Sequence, residues 1–253
     1  MDLERNVSMS RESISAFFPA FNDGKTIGGL VEKTLGMLSR LTDDYEVIVI
    51  NDGSSDETAE VLKGLRDADP QHVRVITHDE NRGYGGALRS GFSAASKELV
   101  FYTDGDAQYD PLELELLLQK LSPAVGFVNG FKKTRNDPWH RIAIGWLYNR
   151  FARFIFGIQL RDIDCDFRLI RRSLLEELSL RSTSGTICVE LVKKLELCPY
   201  LVEEVGVSHY PRLHGRSQFF RLQSLAVTFF QLVRLYVTLV IMPQVTGRDV
   251  RTA

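Results

Sequence analysis

The stretch Leu99-Val-Phe-Tyr-Thr-Asp104-Gly-Asp106-Ala-Gln108-Tyr-Asp110-Pro111 decides how this chain is built. A β-branched and aromatic run that stops in two carboxylates one residue apart predicts a buried strand handing acids to the edge of a sheet. Asp110 is a favourable helix N-cap, Pro111 suits the first helical position and Glu113 completes a capping box, so the acidic loop is pinned between strand and helix. Asp104, Asp106 and the amide oxygen of Gln108 make a hard, oxygen-only ligand set that suits Mg²⁺ or Mn²⁺, with phosphate oxygens completing the shell. A single Asp-x-Asp equally describes a solvated turn capping a helix. The choice therefore rests on what the rest of the chain brings to the same place.

Upstream, Ile14 to Phe18 is an apolar run that breaks at Pro19-Ala-Phe-Asn22-Asp23-Gly24, a strand followed by a loop. Helical spacing of Ile27, Leu30, Val31, Leu35 and Leu38 predicts a helix over 25–40. Tyr45 to Ile50 is almost continuously apolar, as a parallel strand covered on both faces must be. It ends at Asn51-Asp52-Gly53-Ser54-Ser55-Asp56, where Ser54 and Glu57 form a second capping box opening a helix to Arg66. Val73 to His78 is a third strand, Asn81-Arg-Gly-Tyr-Gly85 leads into a helix through Ala95, and Leu99 to Thr103 is the fourth. Alternating strands and helices imply a parallel sheet with right-handed crossovers. In such a sheet the loops carrying Asp23, Asp52, Asp56, Asp104 and Asp106 all lie at the carboxyl edge, where open α/β sheets bind ligands. Gly83-x-Gly85 faintly resembles a dinucleotide fingerprint. Leu88 occupies the third glycine position, however, and the motif follows the third strand, so a tight turn with close helix packing is the better account.

Ala124 to Gly130 reads as a fifth strand. From Arg141 to Leu160, Ile144, Leu147, Tyr148, Phe151, Phe154, Ile155 and Ile158 repeat at helical spacing, while Arg141, Gly145, Asn149 and Arg153 take another face. The result is a basic amphipathic helix with the composition of a segment at a bilayer surface, or of a helix packed on the sheet with its arginines in water. A second acidic cluster, Asp162-Ile-Asp164-Cys-Asp166-Phe-Arg168, is mixed with arginines. Helices follow over 173–180 and 186–197, then a late strand over 201–207 and the donor-rich loop His209-Tyr-Pro-Arg212-Leu-His-Gly-Arg-Ser217, which suits an anion. Leu222 to Met242 is the most apolar segment. Ser224, Thr228, Gln231, Arg234 and Thr238 interrupt it as one polar stripe, which favours a helix lying in or on a membrane, or docked on the body, over one that crosses a bilayer.

With 253 residues, 44% hydrophobic and 25% charged, the chain has enough apolar material for one large α/β domain. A net charge of -2 argues against a nucleic-acid partner. Three cysteines without metal-ligand spacing fit a reducing compartment, and the polar start of the chain reads as a tail without a signal peptide. The oligomeric state has no signature in the sequence.

The ordered set Pro19-Ala-Phe-Asn22-Asp23, Asn51-to-Asp56, Asn81-to-Gly85, Asp104-to-Pro111, Asp162-to-Arg168 and Arg212-to-Ser217 resembles the family 2 glycosyltransferases, most closely the polyprenyl-phosphate (dolichyl-phosphate) sugar synthases. The resemblance covers Ile14 to Ser217 and implies a GT-A fold, with a mostly parallel sheet covered by helices on both faces. On this reading residues 1–12 are a tail, 13–217 the GT-A domain, and 218–253 an amphipathic juxtamembrane helix and tail. It also implies transfer of a sugar, with inversion, from a nucleotide diphosphate to a lipid phosphate by an enzyme peripheral to the cytoplasmic face of a membrane. Carried over residue by residue, Pro19, Asn22, Asp23 and Asp52 line the nucleotide pocket. Asp104, Asp106 and Gln108 hold the metal and donor diphosphate, and Asp162 lies near the donor sugar. Arg212 and Ser217 close on donor phosphates, while Lys132, Arg141 and Arg168 are assigned to the acceptor phosphate. Lys132 and Gly145 stand where relatives often have arginine and serine. Asp166, Gly206 and His209 replace a frequent glycine, proline and phenylalanine, which marks a subgroup with another sugar or acceptor. A phosphate acceptor arrives already ionised and needs no general base, whereas a hydroxyl acceptor would call on Asp162 or Asp164. A third alternative is a nucleotide-sugar-binding membrane protein without turnover.

Overall fold

The computed structural model describes residues 12–134, 139–212, 222–242 and 249–251. Seven strands form one sheet: β1 (Ile14–Ala20), β2 (Tyr45–Asn51), β3 (Val73–Thr77), β4 (Leu99–Thr103), β5 (Val125–Lys132), β6 (Phe167–Arg171) and β7 (Leu201–Val207). Their order across the sheet is β3-β2-β1-β4-β6-β5-β7. The first four strands pair in parallel, β5 pairs in parallel with β7, and β6 runs antiparallel between β4 and β5.

Alternation along the central strands sends side chains into two apolar layers, as the period of two requires. Phe17, Ile48, Val100 and Tyr102 face the layer built with α3 (Gly83–Ala94), α5 (Trp139–Phe156), α6 (Arg172–Glu176), α7 (Ile187–Glu196) and α8 (Leu222–Tyr236). Ala16, Phe18, Val47 and Phe101 face the layer built with α1 (Ile27–Leu41), α2 (Thr58–Ala68) and α4 (Leu114–Leu118). The sheet is therefore covered on both faces, as its continuous apolar runs require.

Three local readings are corrected. The arginine-rich segment after Asp166 is strand β6, whose reversal carries residues 162–166 to the edge where the parallel strands end. Neither capping box forms as read. Asp110 does cap the turn after it, taking the Leu112 N–H at 3.0 Å, but Glu113 reaches Ser208 instead, accepting its N–H at 2.6 Å and its hydroxyl at 2.7 Å. At α2 the cap is Asp56, which accepts the Thr58 N–H at 3.0 Å, while Ser54 accepts from the backbone of Asn22 at 3.0 Å.

The two amphipathic helices sit with apolar residues outward. In α5 the buried residues are Asn149, Ala152 and Phe156, whereas Leu147, Phe151 and Phe154 face solvent, Phe154 with 84% of its surface exposed. In α8, which continues through a π-helical turn at Val237–Ile241, Thr228, Leu235 and Leu239 are buried and Phe229, Phe230 and Val233 are exposed. Phe156 and Tyr236 pack edge to face at 6.0 Å, so the two helices are neighbours on one side of the sheet.

Candidate active site

At the carboxyl edge each acidic loop is held by its neighbour's backbone. Gly105 N donates to the Pro19 carbonyl at 3.2 Å, Asp52 N to the Ala20 carbonyl at 2.9 Å and His78 N to the Asn51 carbonyl at 2.9 Å, so the loops after β1, β2, β3 and β4 are stitched side by side. A Cβ at position 105 would stand 2.7 Å from that Pro19 carbonyl, which leaves glycine as the residue that fits between the two carboxylates. Asn22 and Ala107 both have φ of 58°, a left-handed conformation that costs a non-glycine residue energy and is held here by the surrounding bonds.

Asp104 is half-buried and takes the Tyr84 hydroxyl at 2.8 Å. Burial, then the charges of Asp166 and Asp106, push its carboxyl well above the ordinary carboxylate range, against the pull of Tyr84 and Arg212. Asp106 is 6% exposed; one oxygen orders the loop by accepting the Gln108 N–H at 3.0 Å, and the other is ion-paired with Arg212. Arg212 also donates to the side-chain oxygen of Gln108 at 3.3 Å. Gln108 and Tyr210 exchange two further bonds, at 2.8 and 3.0 Å, and His209 packs on Tyr109 at 5.2 Å. The start of the donor-rich loop is thus laid on the Asp-x-Asp turn, and its first arginine rests on one of the two acids.

On the other flank, Asp52 accepts from Arg82 N at 2.8 Å and meets His78 Nδ1 at 2.6 Å, while His78 Nε2 meets Ser90 at 2.9 Å. Asn22 accepts from Ser55 N at 2.9 Å, and Asp23 accepts from Phe21 N at 3.0 Å. Burial raises the Asp23 carboxyl to about 6, helped by the charges of Asp106 and Asp56 and opposed by Phe21 N and Arg212. A carboxyl raised by folding favours the folded state below its unfolded value near 3.8 and penalises it as pH climbs through 6. Asp23→Asn is therefore expected to stabilise the protein above pH 6, by about 3 kcal/mol at most, with a higher thermal midpoint, and to bring no gain below about pH 3. Melting curves at pH 3 and pH 8 check this; an equal change at both contradicts it.

The third flank comes from β5 and the segment before β6. Asp162 accepts from Asn149 at 3.1 Å and lies 3.7 Å from the Lys132 ammonium, so an acid assigned to the sugar and a cation assigned to the acceptor form one buried pair. Arg168 departs from its assignment. It is wholly buried, donating to Asn129 at 2.8 Å, to Asp166 at 2.9 Å, to the Tyr102 hydroxyl and to the Ile163 carbonyl, so it braces the edge from beneath and presents nothing to an acceptor phosphate. Arg141 lies in α5 with its side chain outside the described residues, and Ser217 lies outside them altogether.

Among the described residues no three His, Cys, Asp or Glu side chains are gathered as a ready metal site. The donor set still fits a divalent cation: two close carboxylates that repel each other, one of them drawing in a guanidinium, beside a side-chain carbonyl oxygen. Such a cation would take the remainder of its shell from phosphate oxygens.

Sequence reasoning passed over Tyr84 and His78. Both follow β3, and their signal was position alone: Tyr84 between two glycines of the Asn81-to-Gly85 motif, His78 at a strand end on the acidic edge.

Comparison with known proteins agrees with this architecture. An undecaprenyl-phosphate 4-deoxy-4-formamido-L-arabinose transferase from Enterobacter sp. (strain 638) is 26% identical over 230 residues, covering 90% of this chain. The chain spans 66% of that relative's length. Glucosyl-3-phosphoglycerate synthase from Mycobacterium tuberculosis, in a complex with Mn²⁺, UDP and glucosyl-3-phosphoglycerate, superposes with a TM-score of 0.67 at 21% identity, over 88% of this chain and 80% of that one. Its complex with Mg²⁺ and UDP gives a TM-score of 0.66 at 19% identity, over 88% and 79%. At such identities the likeness is one of fold. The model of the family described as glycosyl transferase family 2 matches residues 15–179, from β1 to the turn beyond α6. With well over half of its length matched, and with the acids of the Asp-x-Asp turn gathered where its parallel strands end, the chain belongs to glycosyl transferase family 2.

Proposed function

We propose that this glycosyltransferase moves a sugar, with inversion, from a nucleoside diphosphate sugar to a polyprenyl phosphate, aided by Mg²⁺ or Mn²⁺ held by Asp104, Asp106 and Gln108. The observation that carries the reading is the meeting of Arg212 with Asp106 and Gln108 at the carboxyl edge, beside the loops of Asn22 and Asp52. Acids and a guanidinium placed together suit a diphosphate bound through a metal and closed over by the cation. Pro19, Asn22, Asp23 and Asp52 are assigned to the nucleoside, Arg212 and Ser217 to the donor phosphates, and Asp162 to the sugar. Lys132 and Arg141 are assigned to the acceptor phosphate.

A bound cation supplies Lewis-acid stabilisation of the charge growing on the departing diphosphate. The chain's own part is to orient and neutralise. Arg212 exchanges Asp106 for a phosphate oxygen, and Lys132 offers its charge to the acceptor. A phosphate monoester has its second pKa near about 6 and is largely ionised at neutral pH, so no residue has to remove a proton. Asp162 fits that economy, because a carboxylate committed to Lys132 and Asn149 is a poor general base. This pairing favours a phosphate acceptor over a hydroxyl. The Enterobacter relative is named for an undecaprenyl-phosphate acceptor, which supports the same choice.

The acceptor's lipid tail requires a surface. Trp146, Leu147, Phe151 and Phe154 of α5, with Phe229 and Phe230 of α8, expose aromatic and aliphatic faces that a soluble surface would normally cover. No helix among the described residues is long and apolar enough to cross a bilayer. We assign residues 13–217 to catalysis and 218–253 to attachment, with the enzyme lying on the cytoplasmic face of a membrane. Purified protein is expected to float with vesicles containing anionic lipid and to form a lipid-linked sugar from a nucleotide sugar, undecaprenyl phosphate and Mn²⁺. Phe154→Glu with Phe230→Glu is expected to weaken vesicle binding by about thirtyfold or more, since each charge placed at an apolar interface costs on the order of 1 kcal/mol or more. Transfer to a soluble hydroxyl with no need of a lipid phosphate would overturn the assignment.

A further inference from the structure

Gln231 belongs to the polar stripe of the most apolar helix, where nothing in the proposed transfer requires it. Its side chain is engaged at both ends by one loop. The amide nitrogen donates to the Thr183 hydroxyl at 2.9 Å, and the amide oxygen accepts from the hydroxyls of Ser184 and Thr186 at 2.8 and 2.9 Å and from Ser184 N at 3.2 Å. A glutamine that exchanges water for four such bonds holds the loop to α8.

The far side of that loop is pressed against the start of α3. The Thr183 carbonyl accepts from Gly85 N at 2.9 Å. A Cβ on Gly83 would come within 2.6 Å of the same oxygen, and a Cβ on Gly85 within 2.4 Å of the Ser182 carbonyl. The two backbones are therefore in contact with no side chain between them, and the residue carried between the two glycines is Tyr84. Its hydroxyl is the group bonded to Asp104 at 2.8 Å. The loop has little freedom of its own: Glu190, buried and paired with Lys194 at 3.1 Å, accepts Ser182 N at 2.8 Å.

We propose that Gln231 is a positioning residue for Asp104, acting through the 182–186 loop and Tyr84, so that the seating of α8 sets the affinity of the acidic turn for its divalent cation. The inference rests on the assignment of Asp104 to that cation. Groups that orient a metal's ligands from outside its shell commonly change affinity by 10- to 100-fold when removed. Gln231 acts one contact further out than Tyr84, which predicts the smaller end of that range.

The test is Mn²⁺ binding to the full chain without donor or acceptor, read from the electron paramagnetic resonance signal of the free ion. Tyr84→Phe is expected to weaken binding by about thirtyfold and Gln231→Ala by about tenfold. The double variant is expected to be no weaker than the poorer single one, because both changes break the same line of contacts. Gln231→Glu keeps the acceptor for Ser184 and Thr186 and is expected to recover most of the loss. Thr186→Val, which removes one donor only, gives the same reading in smaller measure should alanine at 231 unseat the helix. Wild-type affinity in folded Gln231→Ala, or losses that simply add in the double variant, overturns the proposal. If Asp106→Ala abolishes Mn²⁺ binding while the 231 variants leave it unchanged, this inference alone fails. If the wild-type chain takes no Mn²⁺, the cation assignment fails with it.

Discussion

Asp106→Ala is expected to lose about a thousandfold or more in transfer rate while the protein remains folded. Asp106 is one of the two acids of the turn, the partner of Arg212 and the group that orders Gln108, so one substitution removes a cation ligand and misplaces another. Burial and the Asp106 charge both raise the carboxyls of Asp104 and Asp23, which means Asp106 strains its neighbours in the resting protein. Alanine relieves that repulsion, so the melting temperature is expected to stay level or rise while activity collapses. Steady-state rates beside a thermal melt check both halves. Undiminished transfer by this variant in EDTA would remove the metal from the account.

Arg168→Ala is expected to have the largest effect on stability, about 3–5 kcal/mol, because it removes a wholly buried guanidinium from its ion pair and hydrogen bonds and leaves the partners behind. Asp166, half-buried, would keep its charge without its guanidinium, and Asn129 and the Ile163 carbonyl would each lose a donor. The guanidinium also lies against Tyr102 of β4. Urea unfolding measures the loss, and a change below about 1 kcal/mol would show that the brace is weak. Steady-state kinetics of the same variant, set beside its unfolding curve, separate two roles for this arginine. Removal of an acceptor-binding group raises the KM for the lipid phosphate and spares stability, whereas removal of a brace does the reverse.

Most of the sheet was legible because strands covered on both faces announce themselves as apolar runs, as β1, β2, β4 and β5 do, while the edge strands β3 and β7 showed as β-branched stretches. The carboxyl edge followed from their order, and with it the convergence of Asp23, Asp52, Asp104 and Asp106. β6 escaped because Phe-Arg-Leu-Ile-Arg reads as half basic. Arg168 can be buried in it only because Tyr102 from β4, Asn129 from β5, and Asp166 with the Ile163 carbonyl from the segment before β6 come together to receive its protons. The capping boxes misled for a related reason: Glu113 and Ser54 have local uses in a peptide, yet in the folded chain Ser208 and Asn22 come within reach and take them. Periodicity found α5 and α8 but could not say which face turns inward. The inward face of α5 carries Asn149, whose partner Asp162 lies 13 residues on, and a pairing of that kind leaves no mark on an apolar pattern. Tyr84 stayed hidden because a tyrosine between glycines has no chemistry until an acid from β4 is set beside it.

Diffraction from crystals grown with Mn²⁺ and a nucleoside diphosphate, read at the manganese absorption edge, tests the central claim most directly. The account predicts one anomalous peak within about 2.5 Å of carboxylate oxygens of Asp104 or Asp106, with the nucleoside lying toward Asn22 and Asp52. A manganese peak and nucleotide away from the carboxyl edge, with Arg212 still paired to Asp106, would contradict it.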